Sequence, residues 1–405
     1  MKYILFIGDG MADLPVEELG GKTPLEAADK PNIDALANSA EFGTAKTCPD
    51  GLAPGSDVAI MSIFGCDAAQ YYFGRAPLEA ADQGVTVPEG AMAFRCNMAT
   101  VIDGKMKSHS AGGIDGASAR TLIEDLCKDE VFSSAMKQYG VSVYPTDSYR
   151  HIAILNNSGL TSDSGELMLK APHDNIGKPL PEILPQGGKA APVLSKLIEL
   201  SQTILSEHPI NLDRQSRGLL PANCVWFWAQ GTAANLPGFQ ARYGKTGAVI
   251  SAVPLVRGIG RLQGLDVILV DGATGELETN YSGKASAAID ALKTRDFVAV
   301  HVEAPDECTH NFDLTGKIKA IENIDKLVIK PVLEALKGEA VRALILSDHY
   351  TLTKDGSHDA TPVPYAIYDS STPNIGTSVR FTEANAANGV YLPKGTSLME
   401  HLFSK

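Results

Sequence analysis

The sequence predicts an α/β protein: a core with a mostly parallel sheet flanked by helices, and an inserted α+β domain. Two observations support this fold class. Short apolar runs recur near both ends of the chain, and helical patterns separate the later runs, which is the alternation typical of parallel strands. Between about residues 85 and 220 this alternation gives way to loops, as expected where a second domain interrupts the first.

Each predicted strand of the core is a short apolar run. The first, residues 3–8, is apolar at consecutive positions and ends in Gly-Asp-Gly, as in a parallel strand that is buried on both faces. The later strands and the helices that separate them are predicted at residues 266–272, 284–293, 297–307, 317–336, 342–350 and 365–369.

The length of the chain indicates two domains. With 405 residues, 44% of them hydrophobic, the chain is too long for one ordinary hydrophobic core. We predict a discontinuous core domain from residues 1–85 and 221–405, interrupted by an inserted domain from residues 86–220. Glycine and proline cluster at residues 171–193, inside the predicted insert.

Charge and composition exclude several classes of partner. The formal net charge of −13 disfavours binding to nucleic acid or to an anionic membrane. The six cysteines form no C-x-x-C pair, so we expect reduced thiols in a cytoplasmic protein. The first apolar run is too short for a signal peptide, and no apolar run is long enough to span a membrane. Oligomeric state is left open by these observations.

Acidic and imidazole side chains follow several predicted strands. Ligands of open α/β sheets bind outside the carboxyl ends of the strands, so we expect these side chains to lie in one crevice. Each of them alone is ordinary in a turn or a helix cap. Together, three aspartates and three histidines suit two divalent cations, with Zn²⁺ or Mn²⁺ favoured over Ca²⁺ by the mixed ligands. The six residues are Asp9, Asp306, His310, Asp348, His349 and His358.

Ser56 stands between a glycine and an aspartate where a helical pattern begins. A serine at this place can be a helix N-cap, whose hydroxyl accepts a hydrogen bond from a backbone N–H. It can also be a nucleophile, held where free N–H groups and the helix dipole favour a phosphate. The two roles are compatible, and the cluster of metal-ligand residues favours the nucleophile.

The ordered motifs resemble a known family. FIGDGMAD, LAPGSDVAIMSIFGCD, YYFGRAPLEA, APDECTH, SDHYT and SHDATPVP resemble the alkaline phosphatase superfamily, and more closely the archaeal-type cofactor-independent phosphoglycerate mutases. The resemblance implies an alkaline phosphatase-like core with an inserted substrate-binding domain. It also implies interconversion of 2-phosphoglycerate and 3-phosphoglycerate in glycolysis and gluconeogenesis, through a phosphoserine and without bisphosphoglycerate. Two divalent cations are implied, Mn²⁺ first, with Zn²⁺, Mg²⁺ or Co²⁺ as alternatives.

By motif match, the resemblance makes Ser56 the nucleophile. It assigns one metal site to Asp9, Ser56, Asp348 and His349, and the other to Asp306, His310 and His358.

The substrate-binding residues implied by the resemblance are mostly in the insert. A phosphoglycerate carries a phosphate and a carboxylate, which suit the planar donors of arginine. The matching motifs contain Arg95 and Arg150, with His151 and His173 as candidate proton carriers, and Arg257 lies where the family often has lysine. For each arginine the alternative is an ordinary solvated side chain.

Three other functions remain open from the sequence. A metal-dependent phosphomonoesterase would share every metal ligand and let water reach the phosphoserine. A phosphotransferase, such as a homoserine kinase-like paralogue, would pass the phosphate to another small alcohol. A non-catalytic metal- or phosphate-binding protein is disfavoured by the intact serine and the seven matching metal positions.

Overall fold

A computed structural model of the protein describes residues 1–38, 41–372 and 379–404. The chain forms two compact units. The first comprises Met1–Tyr72 and Asn235–Lys405, and the second comprises Phe73–Ala234. The described part of the chain contains no helix that is both long and apolar enough to cross a membrane.

The strands are β1 (Lys2–Gly8), β2 (Glu41–Ala45), β3 (Met92–Ile102), β4 (Lys105–Ser108), β5 (Val141–Tyr144), β6 (Arg150–Leu155), β7 (Cys224–Thr232), β8 (Gly247–Ile250), β9 (Asp266–Ile268), β10 (Phe297–Val302), β11 (Val341–Leu346), β12 (Tyr350–Thr351), β13 (His358–Asp359), β14 (Val363–Asp369) and β15 (Val390–Leu392). The α-helices are α1 (Pro24–Ala27), α2 (Pro31–Leu36), α3 (Ser56–Ile63), α4 (Ala68–Tyr71), α5 (Arg75–Asp82), α6 (Gly116–Lys128), α7 (Glu130–Tyr139), α8 (Ser158–Thr161), α9 (Leu180–Ile183), α10 (Ala190–Ser206), α11 (Pro209–Ser216), α12 (Phe239–Tyr243), α13 (Pro254–Leu262), α14 (Tyr281–Leu292), α15 (Ala304–His310), α16 (Leu314–Asn323), α17 (Lys330–Ala335), α18 (Glu383–Ala386) and α19 (Leu398–Phe403).

The first unit is built on an eight-stranded sheet with the order β15-β2-β14-β11-β1-β10-β8-β9. Strand β1 lies between β10 and β11 and is parallel to both, and β8 and β9 extend the parallel part. Strand β14 is antiparallel to β11 and to β2. The sheet is therefore mostly parallel, and the predicted fold class is confirmed.

The central strands are apolar on both faces because helices cover both sides of a parallel sheet. Every residue of β10 and β11 is buried. Helices α14 and α16 pack against these strands in one continuous hydrophobic cluster. A π-helical segment, Ile324–Ile329, joins α16 to α17, so the predicted helix at 317–336 is three consecutive helical segments. The predicted strand at 266–272 is shorter and ends at Ile268.

The second unit has its own antiparallel sheet. Strand β3 pairs with β4, β6 and β7, and β5 pairs with β6. Helices α6, α7 and α10 bury one face of this sheet in a separate hydrophobic cluster.

This unit extends beyond the predicted insert of 86–220 at both ends. Helix α5 packs on β3 and β7, and β7 pairs with β3 along almost its whole length. The predicted boundaries placed α5 and β7 in the core domain, because neither segment reveals its pairing partner in the sequence.

Candidate active site

The predicted metal ligands come together at the carboxyl ends of neighbouring strands in the first unit. Asp9 directly follows β1, while Asp348 and His349 follow β11. Asp306 and His310 lie one helical turn apart on α15, which begins just after β10. His358 begins β13, which pairs with β12. Because β1, β10 and β11 are parallel neighbours, their carboxyl ends share one edge of the sheet.

One group of ligand atoms converges on His349. The Nε2 atom of His349 lies 3.2 Å from Oγ of Ser56. It is also 3.3 Å from Oδ2 of Asp348 and 3.5 Å from Oδ1 of Asp9. These four residues are the set that the resemblance assigned to one cation.

A second group converges on Asp306. Its two carboxylate oxygens lie 3.2 Å from Nε2 of His310 and 3.3 Å from Nε2 of His358. Ligand atoms of Asp306, His310 and His358 lie within 4.8 Å of one another, and the same holds for Asp9, Asp306 and His349. Asp306 therefore lies between the two groups, although the resemblance assigns it to only one.

Thr351, which the sequence analysis did not single out, contacts one side chain from each group. Its hydroxyl donates a hydrogen bond to Oδ1 of Asp306 at 2.6 Å and lies 3.2 Å from Nδ1 of His349. This leaves Nε2 of His349 facing the carboxylates.

The burial of these carboxylates favours a bound cation. Oδ1 of Asp9 and Oδ2 of Asp348 are buried and accept no hydrogen bond. Burial and the neighbouring carboxylates of Asp348 and Asp306 raise the pKa of Asp9 well above its ordinary value. Burial likewise raises the pKa of Glu303 to about 8. A buried carboxylate without a counter-charge is costly, so the residues present fit divalent cations.

The imidazoles are suited to metal ligation. Burial lowers the pKa of His349, which favours the neutral ring that a metal ligand requires. Burial opposes ionisation of Asp306, but hydrogen bonds from His310 and His358 outweigh it and hold the pKa of this carboxyl well below its ordinary value.

A buried histidine that the sequence analysis did not single out orients Asp9. Nε2 of His301 lies 3.0 Å from Oδ2 of Asp9, and Nδ1 lies 3.1 Å from Oγ of Ser251. Burial lowers the pKa of His301 to about 3, so the ring is neutral. Because a carboxylate only accepts hydrogen bonds, we assign the proton to Nε2. The available signal was an imidazole inside the otherwise apolar strand β10.

The structure changes the interpretation of Ser56 as a helix N-cap. Gly55 is the N-cap of α3, and Ser56 is the first residue of the helix. The hydroxyl of Ser56 faces His349, while Gly55 accepts the hydrogen bond from the backbone N–H of Ala59. Ser56 therefore combines a place at a helix N-terminus with a side chain directed at the predicted metal ligands.

In the second unit, two predicted arginines share a polar cluster. The guanidinium of Arg95 donates two hydrogen bonds to Glu79, one of them from Nε at 3.0 Å. Nη1 of Arg150 lies 4.0 Å from the same carboxylate. Both guanidinium groups lie over the ring of Trp228, and the ring of His173 lies 5.1 Å from it.

Two other predicted residues lie outside this cluster. His151 pairs with Cys96 across the strands, on the opposite face of the sheet from Arg150. It is fully buried, Nδ1 accepts a hydrogen bond from the N–H of Thr146, and burial lowers its pKa to about 4. The side chain of His151 is therefore buried within the second unit, and its role as a proton carrier stays a prediction. Arg257 lies on α13 of the first unit and donates to the carbonyl of Ala252 at 2.9 Å; its role stays a prediction.

Comparisons with known proteins all indicate one family. Residues 37–211 match the model of the 2,3-bisphosphoglycerate-independent phosphoglycerate mutase family. The chain is 47% identical to the mutase of this name from Methanosarcina barkeri over 392 residues, with 96% of each chain covered. It is 41% identical to a probable mutase of the same name from Geobacter sulfurreducens, with 100% of each chain covered.

Two solved structures share the fold. A Pyrococcus horikoshii protein is 29% identical, with a TM-score of 0.80, and the match covers 100% of this chain and 98% of that one. A cofactor-independent phosphoglycerate mutase from Thermoplasma acidophilum is 27% identical, with a TM-score of 0.66 and 99% of each chain covered.

Proposed function

Because the chain belongs to the family of 2,3-bisphosphoglycerate-independent phosphoglycerate mutases, we propose that it interconverts 2-phosphoglycerate and 3-phosphoglycerate by way of a phosphoserine at Ser56. The observation that carries this proposal is the convergence on His349. Oγ of Ser56 lies 3.2 Å from its Nε2, beside the buried carboxylates of Asp9 and Asp348.

We assign two divalent cations to this site, with Mn²⁺ as the first candidate. Asp9, Ser56, Asp348 and His349 would hold one, and Asp306, His310 and His358 would hold the other. When bound, such cations stabilise the charge of a transferring phosphoryl group. The carboxylate oxygens that lack donors on Asp9 and Asp348 support this assignment.

In the proposed reaction, Oγ of Ser56 forms a bond to phosphorus while the bond between phosphorus and a glycerate oxygen breaks. The serine loses its proton, and the released glycerate oxygen gains one. The transfer then runs in reverse onto the other glycerate oxygen. The N-terminus of α3 contributes free backbone N–H groups where the phosphate would lie.

The second unit is proposed to bind the rest of the substrate. Arg95 and Arg150 supply donors for its anionic end, and His173, whose side chain is 46% exposed, is our candidate proton carrier. Retention of the glycerate between the two transfers is what would separate a mutase from a phosphatase.

One assay tests this proposal. The purified protein with Mn²⁺ and 3-phosphoglycerate should form 2-phosphoglycerate with little free phosphate. Acid-quenched samples should contain a phosphorylated peptide that includes Ser56, detected by mass spectrometry. Free phosphate as the main product would instead indicate a phosphomonoesterase, and turnover without any phosphorylated Ser56 would refute the phosphoserine.

A further inference from the structure

Trp228 is the common neighbour of the charged groups in the second unit. It is 7% exposed. The guanidinium carbons of Arg95 and Arg150 lie 4.7 Å and 5.6 Å from its ring centroid. The ring of His173 contacts the same indole edge-to-face, at 5.1 Å and 70°. One aromatic side chain therefore orders three groups that we assign to substrate binding.

Hydrogen bonds fix the indole in this place. Its Nε1 donates to Oδ1 of Asn97 at 2.9 Å. The amide nitrogen of Asn97 in turn donates to the carbonyl of His109 at 2.9 Å. Asn97 is fully buried, so this network has one arrangement that satisfies its polar atoms. The orientation of Trp228 is thereby coupled to the loop that carries His109.

The backbone beside Trp228 is strained. Ala229 has a φ of 52°, in the left-handed region that a residue with a Cβ rarely adopts. The register of β3 and β7 shifts between Ala93 and Arg95, which is the signature of a β-bulge. The bulge puts Trp228 and Gly231 on one face, although they are three positions apart in the chain. Such strain persists where the surrounding structure determines it, often at functional sites.

The cluster is locally positive in an acidic protein. Burial opposes ionisation of Glu79, but the positive charges of Arg95, Arg150 and Arg75 outweigh it and lower the pKa of this carboxyl. Arg150 keeps 31% of its side chain exposed, while Arg95 is buried against Glu79 and Trp228. An anion that binds here would reach the partly exposed side chains of Arg150 and His173 from solvent, while Arg95 is buried.

We propose that Trp228 is a positioning residue: it holds Arg95, Arg150 and His173 in the arrangement that binds the anionic end of the phosphoglycerate. This inference rests on the proposed mutase function and adds a residue that binds no substrate atom itself. The anion held by the cluster is a carboxylate or a phosphate, and separate probes distinguish the two.

The kinetic test replaces Trp228 and uses Trp226 as a matched control. Trp226 lies two residues away on the same strand, is 1% exposed, and donates to the carbonyl of Lys170 at 2.8 Å. Trp228→Leu should raise KM for 3-phosphoglycerate about 10-fold, since it removes two cation–π contacts and a buried hydrogen bond. Trp228→Tyr, which keeps an aromatic face, should raise it less, and Trp226→Phe should leave it unchanged.

The rise in KM should exceed the fall in kcat in these variants, because Ser56 and the predicted metal ligands are untouched. Melting temperatures are measured for all three variants. A purely structural tryptophan would lower the melting temperature and leave KM unchanged, and that result overturns the inference.

A binding test uses the same residues. Trp226 and Trp228 are the two tryptophans of the chain, so Trp226→Phe leaves Trp228 as the sole indole fluorophore. Its emission should change saturably with 3-phosphoglycerate, and with either D-glycerate or inorganic phosphate, according to which anion the cluster binds. An unchanged emission with all three probes in an enzyme that turns over overturns the inference. Saturable binding in a protein that forms no 2-phosphoglycerate would refute the mutase function and leave the anion site in place.

Discussion

Oγ of Ser56 lies 3.2 Å from Nε2 of His349, a residue 293 positions later in the chain. The two meet because α3 begins at Ser56 and His349 follows the buried strand β11. The same imidazole nitrogen is close to carboxylate oxygens of Asp348 and Asp9. In the proposed reaction, this contact places the serine hydroxyl beside the candidate metal ligands, where it would attack a phosphoryl group held by cations.

Replacement of this hydroxyl should stop the reaction. Ser56→Ala is expected to lower mutase turnover by about 10³-fold or more and to remove any phosphatase activity with it. The aspartates and histidines remain, so metal content should be partly retained. Activity by a coupled assay for 2-phosphoglycerate and metal content by mass spectrometry measure the two effects.

Ser62→Ala is the matched control on the same helix. The hydroxyl of Ser62 is buried and neither accepts nor donates a hydrogen bond, so its loss should leave activity unchanged and should not lower stability, because no hydrogen bond is broken. Mutase activity that survives in Ser56→Ala would show that the phosphate never passes through this serine.

Removal of the cations should both inactivate and destabilise the protein. Without them, the buried carboxylates of Asp9, Asp306 and Asp348 repel one another. A cation present at 100 times its Kd contributes about 2.7 kcal/mol to stability, so EDTA should lower the melting temperature measurably. Added Mn²⁺ should restore both activity and melting temperature. Full activity in protein shown to be metal-free would contradict the proposed site.

The sequence signals that predict the candidate metal ligands are local. An acid or imidazole at the end of an apolar run is visible in the chain, and parallel strands bring such ends together. Asp9, Asp306 and Asp348 are predicted in this way. His301 was missed because a histidine inside a strand has no such marker, and its partner Asp9 lies 292 residues away.

The pairing and register of the strands in the second unit could not be predicted from the sequence in the same way. The face of β6 that bears Arg150 is set by its register with β3, and a shift of one residue would reverse the faces. The resemblance gives His151 as a candidate proton carrier, and the register directs its side chain into the core of the second unit. The buried pair of Arg95 and Glu79 was also hidden. Because of this pair, Arg95→Ala would leave the buried carboxylate of Glu79 without its hydrogen-bonded partner. We expect this loss to lower the free energy of unfolding by about 3 to 5 kcal/mol.

The buried imidazole of His151 should make stability depend on pH. Burial lowers its pKa to about 4 in the folded protein, against about 6.5 in an unfolded chain. The unfolded state thus binds the extra proton between these values, so stability is lost as the pH falls from 6.5 to 4. The loss at pH 4 is about 3 kcal/mol from this group.

His151→Asn isolates that contribution. An asparagine oxygen can accept the hydrogen bond from Thr146 N–H that Nδ1 accepts now, and it does not titrate. Urea denaturation at a series of pH values should show a shallower fall in the variant, by up to about 1.4 kcal/mol per pH unit. The metal ligands titrate equally in both proteins and cancel in the difference. If stability falls equally steeply with pH in the wild-type protein and in His151→Asn, His151 takes up its proton in the folded state. If His151→Asn loses turnover at pH 7, the interpretation of His151 as a proton carrier is supported.

The ratio of transfer to hydrolysis should depend on Arg150. Its guanidinium is partly exposed, lies 3.3 Å from the Tyr149 hydroxyl, and is only 4.0 Å from the Glu79 carboxylate, so Arg150→Ala leaves the buried pair of Arg95 and Glu79 intact. Loss of one charge-assisted clamp on the glycerate should lower mutase turnover about 30- to 1000-fold, or ~2 to 4 kcal/mol in the transition state. A loosened glycerate escapes before the second transfer and exposes the phosphoserine to water, so free phosphate should rise as a share of product.

Arg120→Ala is the control, because Arg120 forms an exposed ion pair with Asp147 in the same unit and such pairs contribute little. If Arg150→Ala changes neither turnover nor the share of free phosphate, the glycerate is held by other residues and the arginine is an ordinary solvated side chain.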